Sequence, residues 1–523
     1  MTEDPLPRPK QRTTLLWCMV AGILIALCLW PLVGGMVVVN DDLKFVRSPA
    51  CELPVGDQLR QMWLSQSFRP LEALVGRTCD AETLRCPWVV PIQTIGFAMI
   101  CWAVCTLARI ILPTERRLAP LALILLALSP ATTAGLWQMD TCSHTWGVAL
   151  GLWSCVIAWH GFTRAKSGRW PWMCGLLLAG CFIVSGLIKE TAYGWSLGIG
   201  LCALGGTAVL LRQNGPAAIR MLPILFGVIA IPMALLVVRI GAGALGHEQG
   251  DALDNPYKLE LGINLPMNAL MATIGAATTG PFHLITNSDS PLVLRALPGL
   301  ACVLVGLLGV TAFEFGFLRG TSEDRHACRL ALLLLLATSG SAAITCFMQS
   351  VGELYCFGFN VGFALLTALA VLLILRACDA DNCAKVVGIA VKMALAMTLA
   401  VGAFGLCGRA AHFRTTWMTV SRTNMAIIHA ADAWVAESAA RARTPAPSDQ
   451  LDICFGPACR PGSTYGQYIC SVVQAIDWEL SAQWMLRRDP KLRLGVHTDL
   501  DCALFTGSVF AVDCPPTPSY GAW

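Results

Sequence analysis

Long apolar runs, each close to 20 residues and separated by short polar turns, constrain this chain more than any other feature. A helix needs about 20 mostly apolar residues to cross the hydrocarbon core of a bilayer. Such runs lie near 14–39, 89–112, 119–136, 144–163, 172–188, 191–211, 221–241, 292–318, 330–349, 358–376 and 387–407. About eleven transmembrane helices are therefore expected, the third and fifth short. The segment 262–286 is only moderately apolar and contains Gly280 and Pro281, which suits a re-entrant or interfacial stretch. Composition agrees: 55% of the 523 residues are hydrophobic and 13% charged, against roughly a quarter charged in soluble domains. Disorder is excluded on the same ground. The net charge of +4, spread over many turns, gives no basis for a nucleic-acid partner.

The cations orient the spans. Arg8, Lys10 and Arg12 precede the first run, and no small-residue cleavage site follows it, so an uncleaved first span is expected. With the N-terminus inside, Arg116 and Arg117; Arg164, Lys166 and Arg169; Arg212 and Arg220; Arg319, Arg325 and Arg329; and Arg376 with Lys385 all fall on the inner side. This is the distribution that cytoplasmic retention of Lys and Arg produces. The expected organisation is a cytoplasmic tail at 1–13 and a membrane domain at 14–408 with outer loops 40–88 and 242–291. A small outer domain at 409–523 completes it, with the stretch 416–443 patterned as an amphipathic helix. The fold class is thus an all-α integral membrane protein with a small extracytoplasmic C-terminal domain. Of the 24 cysteines, only Cys51, Cys79, Cys86, Cys454, Cys459, Cys470, Cys502 and Cys514 lie in large outer segments where oxidation is possible. Cys79 with Cys86 and Cys454 with Cys459 are the nearest pairs.

Few ionisable residues remain on the outer side. Asp41 and Asp42 follow the first span directly; Arg69 lies in Ser67-Phe68-Arg69-Pro70-Leu71-Glu72; Lys189-Glu190 interrupts an apolar stretch; Glu353-Leu354-Tyr355 sits between two spans. Ionisable groups at membrane depth are costly and mark function by default. Plainer readings stand beside each: a carboxylate pair that ends a span, a snorkelling lysine paired with its neighbour, a solvated turn glutamate, an Arg69–Glu72 pair. A carboxylate at the membrane edge can serve as a general base between a lipid-borne donor and an aqueous acceptor. Asp41 and Asp42 also offer oxygen ligands for a divalent cation; no other cofactor is indicated. The sequence contains no zinc-type Cys or His spacing and no Walker or dinucleotide glycine motif.

The ordered set Asp-Asp after the first span, Ser-Phe-Arg-Pro-Leu, Ser-Pro at 129–130, Lys-Glu-Thr and Glu-Leu-Tyr resembles the GT-C superfamily of membrane glycosyltransferases. It is most similar to the protein O-mannosyltransferase-like (TMTC-type) branch and its bacterial relatives, over roughly residues 13–376. The resemblance implies a polyprenyl-phosphate sugar donor, an acidic first outer loop and inversion at the anomeric carbon. It casts Asp41 or Asp42 as the base, Arg69 and Lys189 as donor-phosphate contacts, and Glu190, Glu353 and Tyr355 as supporting residues. Leu354 stands where the family usually has arginine, and 129–142 lacks the family's His-Pro and following acid; Asp140 and His144 are either substitutes or, on the plainer reading, a helix-end polar pair. No tetratricopeptide repeats follow, so a glycan, lipopolysaccharide or lipid acceptor is expected rather than a protein. The expected location is a bacterial inner membrane, with a periplasmic active site and C-terminus. Two other classes fit: a glycolipid transporter or flippase, which would use intramembrane charges and repeated halves, and an oligosaccharide ligase or polymerase. A catalytically inactive member is the remaining reading, prompted by Leu354.

Overall fold

The computed structural model describes residues 11–33, 36–37, 53–64, 70–79, 85–137, 141–189, 191–213, 215–246, 314–346, 356–380, 385–414, 450–455, 493–497 and 508–512, with isolated positions at 262–269, 429 and 433. The helices are α1 (Gln11–Leu29), α2 (Val55–Leu64), α3 (Pro70–Gly76), α4 (Val89–Ile111), α5 (Leu118–Leu128), α6 (Pro130–Leu136), α7 (Cys142–Lys166), α8 (Trp172–Ile188), α9 (Thr191–Gln213), α10 (Gly215–Ile219), α11 (Leu222–Leu225), α12 (Ile231–Gly246), α13 (Ser322–Cys346), α14 (Phe357–Ala380) and α15 (Lys385–His412). Strands are β1 (Met36–Val37), β2 (Arg85–Cys86), β3 (Gln450–Phe455), β4 (Arg493–His497) and β5 (Ser508–Val512).

The chain forms a helical membrane protein. Six helices among the described residues are long and apolar enough to span: Thr14–Leu32, Val89–Ile111, Thr191–Gln213, Gly215–Val238, Ser322–Ala343 and Phe357–Ala377. The expected span at 119–136 is instead a broken pair, α5 and α6, bent by 71°. Pro130 is the cause, because its ring pushes the preceding residue out of the helical region; Ser129 is extended there, with ψ 134°. The stretch 144–163 lies within the 25-residue α7, and 172–188 matches the 17-residue α8. The stretch 387–407 lies within α15. Most of 292–318 lies outside the described residues, which include only the π-helical turn at its end, Glu314–Arg319.

The chain divides into two compact units, the first comprising Met1–Trp30, Gln93–Leu136 and Ser143–Gly408, the second Pro31–Ile92, Trp137–Cys142 and Arg409–Trp523. The second unit collects the first outer loop, the end of the 129–142 turn and the C-terminal segment, three parts expected to share the outer side. Within it Trp137 packs on Phe413, with ring centroids 5.0 Å apart. The C-terminal segment adds something unforeseen, a parallel sheet in the order β4-β3-β5, with Leu451 opposite both Leu494 and Ser508. Parallel neighbours cannot be joined by a hairpin, so neither pairing of β3 is a local one. In the expected amphipathic stretch 416–443, the two described positions, His429 and Ala433, are helical.

In the first unit the most extensive helix pairing joins α9 to α13. Apolar side chains gain little by leaving lipid for a neighbouring helix, so membrane helices associate through close backbone approach at small residues. Gly194 and Gly198 of α9 supply that surface: a Cβ on Gly194 would strike the Gly340 carbonyl oxygen, one on Gly340 that of Gly194, and one on Gly198 that of Ala337. Trp195, fully buried, then wedges between Gly151 of α7 and Gly358 of α14.

At one end of this unit, three turns whose cations the sequence topology assigns to the inner side converge. Arg117 chelates Glu115 through Nε and Nη2, both at 2.8 Å. Arg376, at the end of α14, donates to Glu115 at 3.2 Å and to Asp324 at 3.1 Å. Asp324 also caps α13: it accepts from the Thr321 N–H and hydroxyl at 3.0 and 2.9 Å, and its own N–H donates back to Thr321 at 3.2 Å, a capping box. Thr114 donates to Glu323 at 2.7 Å. Burial by itself would raise the Glu115 carboxyl, but the hydrogen bonds and charge of Arg117, with Arg376, hold it below the ordinary carboxylate value.

Gly194→Leu drives a side chain into backbone that has no rotamer to yield. We expect it to destabilise the detergent-solubilised protein by about 1–3 kcal/mol or more, seen as a lower midpoint of thermal unfolding, whereas Gly205→Leu, with open space around it, leaves the midpoint unchanged. Glu115→Leu is expected to cost about 3 kcal/mol near neutral pH, the low end for breaking a buried pair, because Arg117 and Arg376 keep some water contact. A carboxyl lowered in the folded state stabilises fully above its ordinary value, and that stabilisation is lost as pH falls through the folded value. The wild-type advantage over Glu115→Leu therefore shrinks as pH falls from the ordinary carboxylate value through the lower folded one, as unfolding midpoints across a pH series would show.

Candidate functional site

The loop expected on the outer side after the first span is closed at its base. β1 and β2 pair antiparallel, with Met36 opposite Cys86 and Val37 opposite Arg85. This joins the two ends of the segment that carries Asp41, Asp42 and Arg69. A disulfide joins Cys79 to Cys86, the first of the two nearest pairs named from sequence; for the second, Cys459 lies outside the described residues. Inside the loop, Arg77 donates to Gln58 Oε1 at 2.5 Å and to the Leu53 carbonyl, tying the start of α2 to the end of α3. Asp41, Asp42, Arg69, Glu190, Glu353 and Tyr355, together with Asp140, lie outside the described residues. Lys189 is the one proposed site residue that the structure places.

Lys189 occupies a two-residue break between two membrane helices. Its backbone is extended, with φ −154° and ψ 142°, and its N–H donates to the Ser185 carbonyl at 2.8 Å, closing α8. Its carbonyl accepts the Ala192 N–H at 3.2 Å, opening α9. The residue is only 3% exposed, although a lysine is almost never fully buried unless paired. Neighbouring α7 approaches this turn at Gly147: a Cβ there would lie in van der Waals contact, 3.4 Å from Thr191 Oγ1 and 4.0 Å from Lys189 Cβ.

The preceding turn of α7 is polar and buried: Ser143 and Thr145 are 0% exposed and His144 5%. Thr145 Oγ1 donates to the Gly135 carbonyl at 2.9 Å, and Gln93 Nε2, from α4, donates to the same oxygen at 3.3 Å. Thus the end of α6 is fixed between α4 and α7. Gly135 in turn receives Phe357, the first residue of α14; a Cβ there would lie 2.6 Å from the Phe357 ring. The bent pair, the start of α7, the α8–α9 turn and the start of α14 therefore gather at one end of the first unit. Sequence topology assigns all four to the outer side. The turn that bears Lys189 and the start of α14 share this end; Glu353 and Tyr355 themselves lie outside the described residues.

Sequence reasoning missed most of the polar lining. Ser129 and Ser143, on the bent pair and α7, and Ser185, one turn before Lys189, are buried with hydroxyls that have no hydrogen-bond partner among the described residues. Asn360, one turn into α14, is 2% exposed and its Nδ2 is likewise unmatched there. Buried polar groups ordinarily find partners, so several unmatched ones on elements that meet at one end set this end apart from the rest of the bundle. The sequence signal was present at 141–145, Thr-Cys-Ser-His-Thr, a polar cluster that opens an apolar run. Among the described residues, no group of three His, Cys, Asp or Glu gathers to hold a metal ion; Asp41 and Asp42 lie outside them.

Comparison with known proteins adds a distant structural likeness. No family profile and no curated protein matches the chain. Solved structures of the oligosaccharyltransferase of Archaeoglobus fulgidus do. Its apo form aligns over 88% of this chain and 64% of that one, at 12% identity and a TM-score of 0.44. The complex of the same enzyme, AglB, with an inhibitory peptide and a dolichol-phosphate aligns over the same shares at 11% identity and 0.44. The form tethered to an acceptor peptide with the NVT sequon aligns over 85% and 62% at 14% identity and 0.42. The chain spans less than two thirds of that enzyme's length. At TM-scores below 0.5 the alignment assigns no family and no residue role, and it does not bear on the protein O-mannosyltransferase branch.

The disulfide is the directly checkable feature of the loop. A non-reducing peptide map of protein taken from an oxidising compartment is expected to show Cys79 linked to Cys86. The Cys79→Ser/Cys86→Ser variant should unfold at a lower temperature, consistent with the few kcal/mol typical of small-loop crosslinks, about 2–4. Peptides with free thiols at both positions in oxidised protein would contradict the structure.

Proposed function

We propose that this chain is a membrane glycosyltransferase that moves a sugar from a polyprenyl-phosphate donor to a hydroxyl acceptor on a surface glycan, lipopolysaccharide or lipid. It works on the periplasmic face of a bacterial inner membrane, with the N-terminus cytoplasmic and the C-terminal segment periplasmic. The observation that carries the reading is the burial of Lys189 in an extended break between two membrane helices. A cation held there, beside a polar turn of α7 and at the edge of an apolar bundle, suits a phosphate whose tail lies in lipid. The ordered motif set supports the same conclusion.

In this mechanism Asp41 or Asp42 accepts the proton of the acceptor hydroxyl. The hydroxyl oxygen attacks the anomeric carbon as the bond from that carbon to the phosphate oxygen breaks, and configuration inverts. Polyprenyl phosphate leaves with the bonding electrons, its growing charge stabilised by Lys189 and Arg69. Glu190, Glu353 and Tyr355 support these groups and the first loop. A divalent cation, where used, would be held by Asp41 and Asp42 and would add charge stabilisation at the phosphate.

Purified protein incubated with a panel of polyprenyl-phosphate sugars, with and without chelator, is expected to consume a donor and release the lipid monophosphate. Lys189→Met should lower turnover about 10²–10³-fold with donor consumption still detectable, and Lys189→Arg should restore part of it. Asn in place of whichever of Asp41 and Asp42 is the base should cost about 10²–10⁴-fold. Full activity in both Asp→Asn variants would remove the base assignment. Release of a lipid diphosphate would favour a ligase, and donor movement across vesicles with no release would favour a transporter.

A further inference from the structure

The cations at the inner-side end of the first unit fall into two groups. Arg117 and Arg376 are neutralised by Glu115 and Asp324. Those of the α7–α8 turn and of the turn after α10 are not: between His160 and Leu225 the only acid is Glu190, which lies in the break at the other end of α8. Arg164, Lys166, Arg169 and Arg220 make no ion pair among the described residues.

The two turns are built against each other. Gly168, in the left-handed region at φ 85°, ends α7, with the Gly168 N–H donating to Ala165 at 3.1 Å and the Arg169 N–H to Arg164 at 2.9 Å. A Cβ on Gly168 would lie 3.7 Å from Arg220 Nη1, so Arg220 reaches across to the cations of the first turn. Below them, α8 and the 223–227 segment meet backbone to backbone: a Cβ on Gly175 would strike the Pro223 carbonyl oxygen, and one on Gly227 would strike that of Gly175.

Two tryptophans mark the depth. Trp170 and Trp172 stack with ring centroids 5.5 Å apart and planes 11° apart, yet remain 47% and 60% exposed. Immediately along α8, Met173 and Leu176 are 62% and 67% exposed, and Leu222 on the facing segment is 56% exposed. The order along this surface is cations, then indoles, then bare hydrocarbon. That is the order of head group, interface and acyl chain in a bilayer leaflet, and basic pockets between membrane helices take anionic head groups.

We propose that the α7–α8 turn and the Arg220 turn together bind an anionic glycerophospholipid. Its phosphodiester lies among Arg164, Lys166, Arg169 and Arg220, its glycerol edge lies on the Trp170–Trp172 pair, and its chains run down the exposed face of α8. A nucleic acid or an acidic protein segment would match the cations but would leave the contiguous Trp and Leu surface uncovered. This inference depends on the membrane-embedded fold and not on the glycosyltransferase reading.

Native mass spectrometry of the full-length protein in detergent, titrated with phosphatidylglycerol or with phosphatidylcholine of the same chains, tests it. Phosphatidylglycerol is expected to bind at least tenfold more tightly. Arg164→Gln/Arg169→Gln/Arg220→Gln should lose that preference while phosphatidylcholine binding and the thermal unfolding midpoint without added lipid stay at wild-type values. Should the triple variant prove unstable, Trp170→Leu/Trp172→Leu provides a second probe, expected to weaken phosphatidylglycerol binding several-fold with the cations intact. Equal binding of the two lipids by the wild type, an undiminished preference in a folded triple variant, or binding of inorganic phosphate in place of the lipid would overturn the proposal.

Discussion

The reciprocal contact of Gly194 and Gly340 sets the spacing on which the first unit depends. With no side chain on either residue, α9 and α13 approach until backbone meets backbone. That proximity positions Trp195, one residue along, between Gly151 and Gly358, so that α7, α9 and α14 share one wedge. The α8–α9 turn lies about one helical turn from this contact. The buried position of Lys189 thus lies close to a backbone-to-backbone helix contact. Dispersion and backbone approach do here what the hydrophobic effect does in a soluble core.

Charge is distributed with economy around that frame. At the end that carries Arg117 and Arg376, Glu115 and Asp324 bind together three segments far apart in sequence: the α4–α5 turn, the start of α13 and the end of α14. At the opposite end there is little charge among the described residues, and neutral polar groups predominate around Lys189. A charge buried among apolar side chains experiences a lower dielectric than one in water, so its electrostatic interactions are stronger. The same surroundings make any mismatch there costly.

How much of this was legible from sequence varied with the signal. Apolar runs placed the helices because about 20 consecutive apolar residues have few other uses. Pro130 was visible as the opening of a turn, but the 71° bend it imposes inside one apolar run was not. Lys189 stood out because a cation in an apolar stretch is rare. Ser143, Ser185 and Asn360 did not, since neutral polar residues often sit in membrane helices satisfied by their own backbone. Thr321-x-x-Asp324 carries a capping-box pattern, yet its link to Arg376, 52 residues on, is a tertiary fact. The Gly194-x-x-x-Gly198 spacing is local, but its partner on α13 is not. The parallel strands β3, β4 and β5 escaped notice because each is only five or six residues long and pairs across long intervals. The expected all-helical character belongs to the membrane part.

Burial of Glu115 has a consequence for ionic strength. Counter-ions screen charges that face water and act weakly on pairs held out of it. The Glu115 side chain is 2% exposed, whereas Arg164, Lys166 and Arg169 are exposed. Raising salt therefore addresses the two basic groups separately: it loosens whatever the exposed cations attract and leaves the junction of α13 and α14 nearly untouched. A high-salt wash during purification would change what accompanies this protein before it changed how the protein is folded.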